Sequence, residues 1–429
     1  MPKPTGFHAI LRTLRHRNFG IYTAGNALSL IGTWMQRIAV GWLAWDLTHS
    51  GGWLGLVAFA DLFPSVIIGP FAGAIADRTS RLRIIAISQV LSMVQAVALA
   101  VLTYLGVITI GWLFALTLIG GVVIGFNQPS RLAMVHSLVP RRDLSTAVAI
   151  NSIVFNGARF VGPAVAGVLI VATGVAACFA VNAASFLVLL LALTRIRIDT
   201  RAHIGPRSGG NLLSEVIAGI AYAARHPGVG PLLLLLLVLS VAVRPFAELL
   251  PGFAAQVFGR GADALAALSS TIGISAIIGG LWLAQRGSTH GLGRIALVST
   301  LVGTLGVLGF VATRNYPVGL AATALAGAAI LISGVSTQTL LQLSIERSMQ
   351  GRVLSLYGII FRGAPAIGSL IAGGLSESFG LRWPIAGGCA LCIAVWLWTW
   401  RRRSAITTAL ETPAAESEIE AEAEPRAAR

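Results

Sequence analysis

Residues 155–174 read FNGARFVGPAVAGVLIVATG, and 206 positions further on residues 361–380 read FRGAPAIGSLIAGGLSESFG. Phe155, Gly157, Ala158, Gly162, Ala166, Gly167 and Gly174 meet Phe361, Gly363, Ala364, Gly368, Ala372, Gly373 and Gly380. Each stretch is apolar, carries small residues at helical spacing and contains a proline. That mix suits a kinked helix in lipid, where small residues let neighbouring backbones approach and Pro is tolerated. At a nearby offset Arg37 meets Arg244, and Arg78 meets Arg286. The chain therefore contains an internal repeat.

Composition agrees with a membrane setting. The 429 residues are 55% hydrophobic and 11% charged, with 49 glycines, whereas a soluble domain carries about 25% charged residues. A spanning helix needs roughly 20 apolar residues, so the length holds about twelve spans and excludes a large soluble catalytic domain. Apolar runs between breakers predict six spans over 19–45, 52–76, 83–106, 110–136, 144–172 and 175–194. Six more are predicted over 231–257, 264–285, 293–313, 317–343, 353–378 and 383–400. Six is even, so the halves share one orientation as parallel repeats about an axis along the membrane normal. The expected domains are six-helix bundles at 1–194 and 229–403. The linker between them, 195–228, contains Leu212, Val216, Ile217 and Ile220 at helical spacing beside Glu215 and Arg225, a short amphipathic helix for the membrane surface. The tail, 404–429, sets six glutamates from Glu411 to Glu424 among alanines and is expected to be disordered.

The formal charge is +15, and all the basic residues but Lys3 are Arg. Their positions follow membrane orientation rather than a nucleic-acid groove. With the N-terminus in the cytoplasm, inside segments hold 21 basic residues and outside loops hold only Arg260, Arg314 and Arg382. Positive charge accumulates on the cytoplasmic side, so both termini are expected there. Trp45, Trp53, Trp112 and Trp383 then fall near the outer interface, and Trp396, Trp398 and Trp400 near the inner one, as an aromatic belt. Cys178 stands alone, and Cys389 and Cys392 lie inside an apolar run. Small-residue packing, not redox chemistry, is the reading for them. Residues 1–18 are polar and basic and show no secretory signal.

Gly73-Ala74-Ile75-Ala76-Asp77-Arg78-Thr79-Ser80-Arg81-Leu82-Arg83 follows the second span. It resembles the major facilitator signature G-x-L-A-D-R-x-G-R-R/K, with Ser80 where the family has Gly. Gly73 permits close helix approach, Asp77 suits the positive end of a facing helix, and Arg78, Arg81 and Arg83 suit carboxylates or anionic lipid heads. Gly157, Gly162, Pro163 and Gly167 on the fifth span resemble, incompletely, the glycine–proline motif of the antiporter branches and are read as a helix-packing motif. Gly32-Thr33-Trp34-Met35-Gln36, Asp46-Leu47-Thr48 and Phe126-Asn127-Gln128-Pro129-Ser130-Arg131 resemble the bacterial branch that includes enterobactin exporters and macrolide efflux proteins. So does the region of Gln338, Gln342 and Gly351-Arg352. The resemblance covers nearly residues 10–400. It implies an all-α major facilitator fold and secondary-active, proton-driven export of small molecules across the inner membrane. It leaves open a multidrug range or a single siderophore-like metabolite.

Intramembrane charges are costly and mark functional sites. Arg37 and Asp61 lie about eight and nine residues from the outer ends of the first two spans, so their depths match and they can pair. Arg244 and Glu248 are spaced i,i+4, so they can pair on one helix face. Asp61 and Glu248 are the proton-coupling candidates. Arg37, Arg159, Arg244, Asn26, Gln36, Asn127 and Gln338 are the substrate-cavity candidates. Arg37, Arg131, Arg159, Arg244 and Arg362 outnumber the two acids, which favours an anionic or zwitterionic substrate with Arg244 and Arg159 as contacts. No HExxH, Walker A or GxSxG pattern occurs, so an enzyme, a metal and a cofactor are not expected; a non-transporting membrane receptor or scaffold is the remaining alternative to a transporter. The expected protein is a monomeric exporter in the lipid bilayer, working between 1–194 and 229–403 with protons as coupling ion and no nucleic-acid partner.

Asp77 is expected to stabilise one gate conformation through a helix-end contact of roughly 1–2 kcal/mol, enough to redistribute states of similar energy. Asp77→Asn should cut transport severely at normal expression. Wild-type flux from that variant in proteoliposomes defeats the assignment.

Overall fold

The computed structural model describes residues 7–76, 79–196, 212–286 and 290–411. Among them the chain is helical. The first helices are α1 (Phe7–Leu14), α2 (Arg17–Thr48), α3 (Gly51–Ala76), α4 (Arg81–Tyr104), α5 (Ile110–Leu138), α6 (Leu144–Thr173) and α7 (Val175–Thr194). Then come α8 (Leu212–Arg225), α9 (Val229–Val238), α10 (Ala262–Gln285), α11 (Leu292–Ala312), α12 (Tyr316–Ser344), α13 (Arg347–Phe379), α14 (Arg382–Arg401) and α15 (Arg403–Glu411). In hydrocarbon every backbone N–H and C=O must be satisfied within the segment, which leaves a helix as the form for such apolar runs. Among the described residues, eleven segments are long and apolar enough to cross a membrane. The 32-residue α2 is not one of them; Asn26, Thr33, Gln36, Arg37 and Asp46 interrupt its apolar run.

Contacts divide the chain into two compact units. The first comprises 1–207 and 248–273. In it α2 packs on α6 and α7, α3 on α5, and α4 on α5 and α7. Glycine permits these approaches. A Cβ on Gly162 would stand 2.5 Å from the Trp34 Cβ and 2.9 Å from the Ile31 carbonyl oxygen, and one on Gly167 would stand 2.4 Å from the Ala266 Cβ. Among the described residues nothing lies within 4 Å of a Cβ built on Gly157, so it does not share the close packing of Gly162 and Gly167. Pro163 is buried within α6. At one end of this unit Asp143, fully buried, accepts from Arg12 at 2.5 Å and lies 2.9 Å from His16 Nε2, tying α1 to the start of α6.

The second unit comprises 208–247 and 274–429. In it α11 packs most extensively on α12, and also on α14. The amphipathic helix expected on the membrane surface is α8, and it docks on α13. A Cβ on Gly219 would stand 3.2 Å from the Arg352 carbonyl oxygen, while Ile217 and Ile220 stay exposed. After α8, His226 Nδ1 accepts the Gly228 and Val229 amides at 3.2 Å each and caps α9. Burial pushes the His226 imidazole below its usual pKa, in keeping with that nitrogen acting as an acceptor.

Three expectations are corrected. The seventh span, predicted as one run over 231–257, is broken. After α9 come π turns at Leu239–Val243 and Phe253–Val257, a 3₁₀ turn at Arg244–Ala247 and a single α-turn at Leu250–Gly252. Pro245 and Pro251 lack the N–H that a continuous ladder needs. The tail expected to be disordered from residue 404 begins as α15. Ile406 and Leu410 share one helical face and are buried, and Glu411 accepts the Gly291 and Gly293 amides at 2.9 and 2.8 Å. That carboxylate caps the positive end of α11; residues 412–429 lie outside the described residues. Finally, Trp45 and Trp396 are buried rather than in a belt, the latter donating to the Leu297 carbonyl at 2.8 Å, whereas Trp112 and Trp383 are exposed.

A methyl group at Gly162 has only backbone and a Trp Cβ to displace. Gly162→Ala should therefore destabilise the protein by about 1–3 kcal/mol and lower its melting temperature in detergent. Gly157→Ala should leave it unchanged. Equal melting temperatures for the two variants contradict this packing.

Candidate functional site

The site is built around one guanidinium. Arg37 lies on α2, eleven residues before its end, and Asp61 lies ten residues into α3. The two helices run antiparallel through the short connection at 49–50, so these positions come level. Arg37 Nε lies 3.4 Å from Asp61 Oδ2. Its Nη2 donates to Glu248 Oε1 at 2.8 Å. Glu248 belongs to the same unit and sits in the break between the Arg244–Ala247 turn and Leu250. All three side chains are partly buried, at 24–30% exposure. The i,i+4 pair expected between Arg244 and Glu248 is not among the ion pairs of the described residues. The chain there is not α-helical, and Glu248 is taken by Arg37. Arg244 instead donates to the Phe361 carbonyl at 2.7 Å and lies over the Phe361 ring at 4.3 Å.

Trp34, one turn before Arg37, is flanked by two cations. Arg37 lies 5.4 Å and Arg159 5.5 Å from its ring centroid, within cation–π range. Gly162, one turn beyond Arg159 on α6, gives the room for this Trp. Among the described residues Arg159 has no carboxylate within ion-pair distance.

A cavity opens beside the cluster, within the first unit. Arg37, Asp61 and Glu248 line it together with Gln36, Gln89, Gln95 and Asn127 among others, and Arg131 is the last lining residue along α5. Its wall on α5 is a single stripe, Thr117, Gly120, Ile124, Asn127 and Arg131, spaced at three and four residues as one helical face requires. Gly121 packs where a Cβ would stand 2.5 Å from the Ala60 carbonyl and 2.8 Å from that of Asp61, so α5 passes close behind the acid. A chain of amides runs from α7 through the lining to α5. Asn182 Nδ2 donates to Gln36 Oε1 at 2.8 Å, Gln36 Nε2 to Gln95 Oε1 at 3.0 Å, and Gln95 Nε2 to the Leu116 carbonyl at 3.1 Å. Arg131 donates to Asn26 Oδ1.

The structure thus brings together Arg37, Asp61, Glu248, Gln36 and Asn127, with Asn26 behind them. Gln338 is half-buried on α12, in the other unit. Of the gating motif, Asp77 and Arg78 lie outside the described residues, and Gly73 is in the last turns of α3. Arg81 Nη1 lies 3.4 Å from the Ala133 carbonyl and the Ser137 hydroxyl, and Arg83 is exposed. Arg362 is exposed on α13. Residues missed by sequence reasoning are Gln89, Gln95, Thr117 and Asn182. Gln89, Ser92 and Gln95 recur at three-residue spacing in an otherwise apolar α4, a polar stripe that could have marked the cavity wall. Among the described residues no group of three His, Cys, Asp or Glu is placed to hold a metal ion.

The family described as transmembrane secretion effector matches residues 9–425. The staphyloferrin A transporter of Staphylococcus aureus is 23% identical over 89% of this chain and 96% of that protein. Macrolide efflux protein A of Streptococcus pyogenes is 22% identical over 87% and 93%. The enterobactin exporter of Salmonella choleraesuis is 26% identical over 86% and 87%. Among solved structures, a bacterial homolog of the human lysosomal transporter Spinster, inward-facing and unoccupied, superposes with a TM-score of 0.68. It covers 96% of this chain and 100% of that one at 13% identity, a likeness of fold.

Removing the guanidinium leaves two facing carboxylates without their shared partner. Arg37→Gln should cost more than an exposed ion pair, about 1 kcal/mol, and approach the ~3–5 kcal/mol of a broken buried pair. Adding Asp61→Asn and Glu248→Gln to it should recover most of the loss. A triple variant no more stable than Arg37→Gln in thermal denaturation contradicts the shared pairing.

Proposed function

The chain belongs to the transmembrane secretion effector family, a branch of the major facilitator superfamily, and from that membership we propose that it is a secondary-active exporter of small organic molecules, driven by proton antiport. It works in the bacterial inner membrane as a monomer with both termini in the cytoplasm. The halves 1–194 and 229–403 alternate access, and the Asp77 motif holds one gate.

The observation that carries the coupling is the sharing of Arg37 by Asp61 and Glu248. With both acids ionised the cluster holds one net negative charge; with one proton bound it is neutral. Burying an uncompensated charge at membrane depth is expensive, so protonation lowers the cost of closing water out around these three side chains. A substrate that displaces or repels that proton exchanges with it. This is antiport by competition for one cluster. Two of the relatives are a staphyloferrin A transporter and an enterobactin exporter, which supports a second reading, a dedicated exporter of an anionic siderophore-like metabolite. The Arg244 contact expected for such a substrate is set aside, because that guanidinium is engaged by Phe361.

Reconstituted into proteoliposomes, the protein should move substrate against its gradient when a pH gradient is imposed. Asp61→Asn or Glu248→Gln should abolish that accumulation and keep substrate-for-substrate exchange, since exchange needs no proton. Full gradient-driven efflux by both variants excludes this cluster as the carrier.

A further inference from the structure

The Arg131 end of the cavity lining along α5 has a chemistry of its own. Arg131 lines it, and among the described residues its guanidinium has no carboxylate partner; it donates to the neutral amide of Asn26 and lies beside the buried Tyr22 hydroxyl, which is neutral as well. Asn26, 3% exposed, fixes the direction of the cation without neutralising it. One turn earlier on the same face, Asn127 is 6% exposed and its Oδ1 has no hydrogen-bond partner. A buried polar atom left unpaired costs about 1–3 kcal/mol. One such atom a single turn from an Arg without a carboxylate partner, both facing one cavity, describes a site awaiting a ligand. Arg131 lies ten residues beyond Gly121, which packs at the level of Asp61. That separation is about 15 Å along the helix, so this end is distinct from the Arg37 cluster.

We propose that Arg131 and Asn127 form an anion subsite that takes a hydroxylated organic anion, with a negative oxygen on the Arg131 guanidinium and a neighbouring hydroxyl donating to the Asn127 amide oxygen. Arg supplies planar donors matched to such oxygens. Asn127 supplies the acceptor that a plain carboxylate cannot use. A hydroxycarboxylate and a singly ionised catechol share this pairing of O⁻ and O–H, and the subsite selects that pairing. The inference rests on the exporter reading above and gives it a substrate class.

The test is calorimetric binding to purified protein in nanodiscs. Citrate is paired with tricarballylate, the same tricarboxylate without the hydroxyl, and 2,3-dihydroxybenzoate with benzoate. The hydroxylated member of at least one pair should bind about tenfold or more tightly, the worth of one charged or buried hydrogen bond; which pair responds distinguishes a hydroxycarboxylate from a catecholate. Arg131→Gln should weaken that ligand about tenfold or more, and Arg131→Lys should restore part of it. Arg362→Gln, which removes an exposed Arg, should change nothing. If Arg131→Gln does not fold, Asn127→Leu alone decides: it should erase the preference for the hydroxyl and keep the weaker anion binding. Equal binding within both pairs, no binding of any of the four probes in the millimolar range, or a preference untouched by Asn127→Leu overturns the subsite. Proton-driven flux of a macrolide with no anion binding sinks this inference and leaves the exporter reading standing. Anion binding that depends on Arg131, with no flux of any solute, does the reverse.

Discussion

A guanidinium at membrane depth cannot shed its charge, so its surroundings must be arranged to accept it. Arg37 meets that demand with Asp61 on α3, Glu248 in the broken seventh segment and the face of Trp34. Each partner constrains a different element. Asp61 sets the level of α3 against α2. Glu248 draws residues 248–273 into the first unit, where Ser270 donates to the Phe160 carbonyl at 3.3 Å and Ala266 fills the space that Gly167 leaves. Trp34 has room only because Gly162 carries no side chain. One cation therefore ties α2, α3, α6 and the segment after Glu248 into one body.

The break in the seventh segment serves that arrangement. A continuous helix through 231–257 would hold Glu248 at a fixed register to Arg244. With Pro245 and Pro251 removing amide donors, the chain passes through π and 3₁₀ turns instead. Irregular backbone at this depth is tolerated where it is buried in protein or lines a cavity, and Phe246, Leu249, Leu250 and Phe253 around it are all buried. Non-helical turns of this kind concentrate at functional sites, and here the turn presents the acid to Arg37.

Away from the cavity the same economy of partners recurs at helix ends. Asp143 receives Arg12 and His16, Glu411 receives the first amides of α11, and His226 receives those of α9. Each fastens a short amphipathic piece or a connection to the end of a long helix, whose first four amides have no partner within the helix. The acidic composition after residue 403 concealed one of these contacts. Glu411 reads as the first of a run of charges, yet Ile406 and Leu410 ahead of it supply an apolar face, and the open end of α11 supplies the donors.

The spans were legible in the sequence because a single physical quantity sets them, the run of apolar residues needed to cross hydrocarbon with all backbone bonds made internally. The internal repeat and the matched depths of Arg37 and Asp61 follow from counting along those runs. The partner of Glu248, the amide chain from Asn182 through Gln36 to Gln95, the burial of Trp45 and the contrast between Gly157 and Gly162 came only with the tertiary structure. Helices that are apolar all round carry little periodic signal for which face turns inward, and Asn182 and Gln36 are far apart in sequence on helices whose rotation about their own axes is set by packing. Linear spacing determined how deep each polar group lies; only the contacts between helices decided which of them meet.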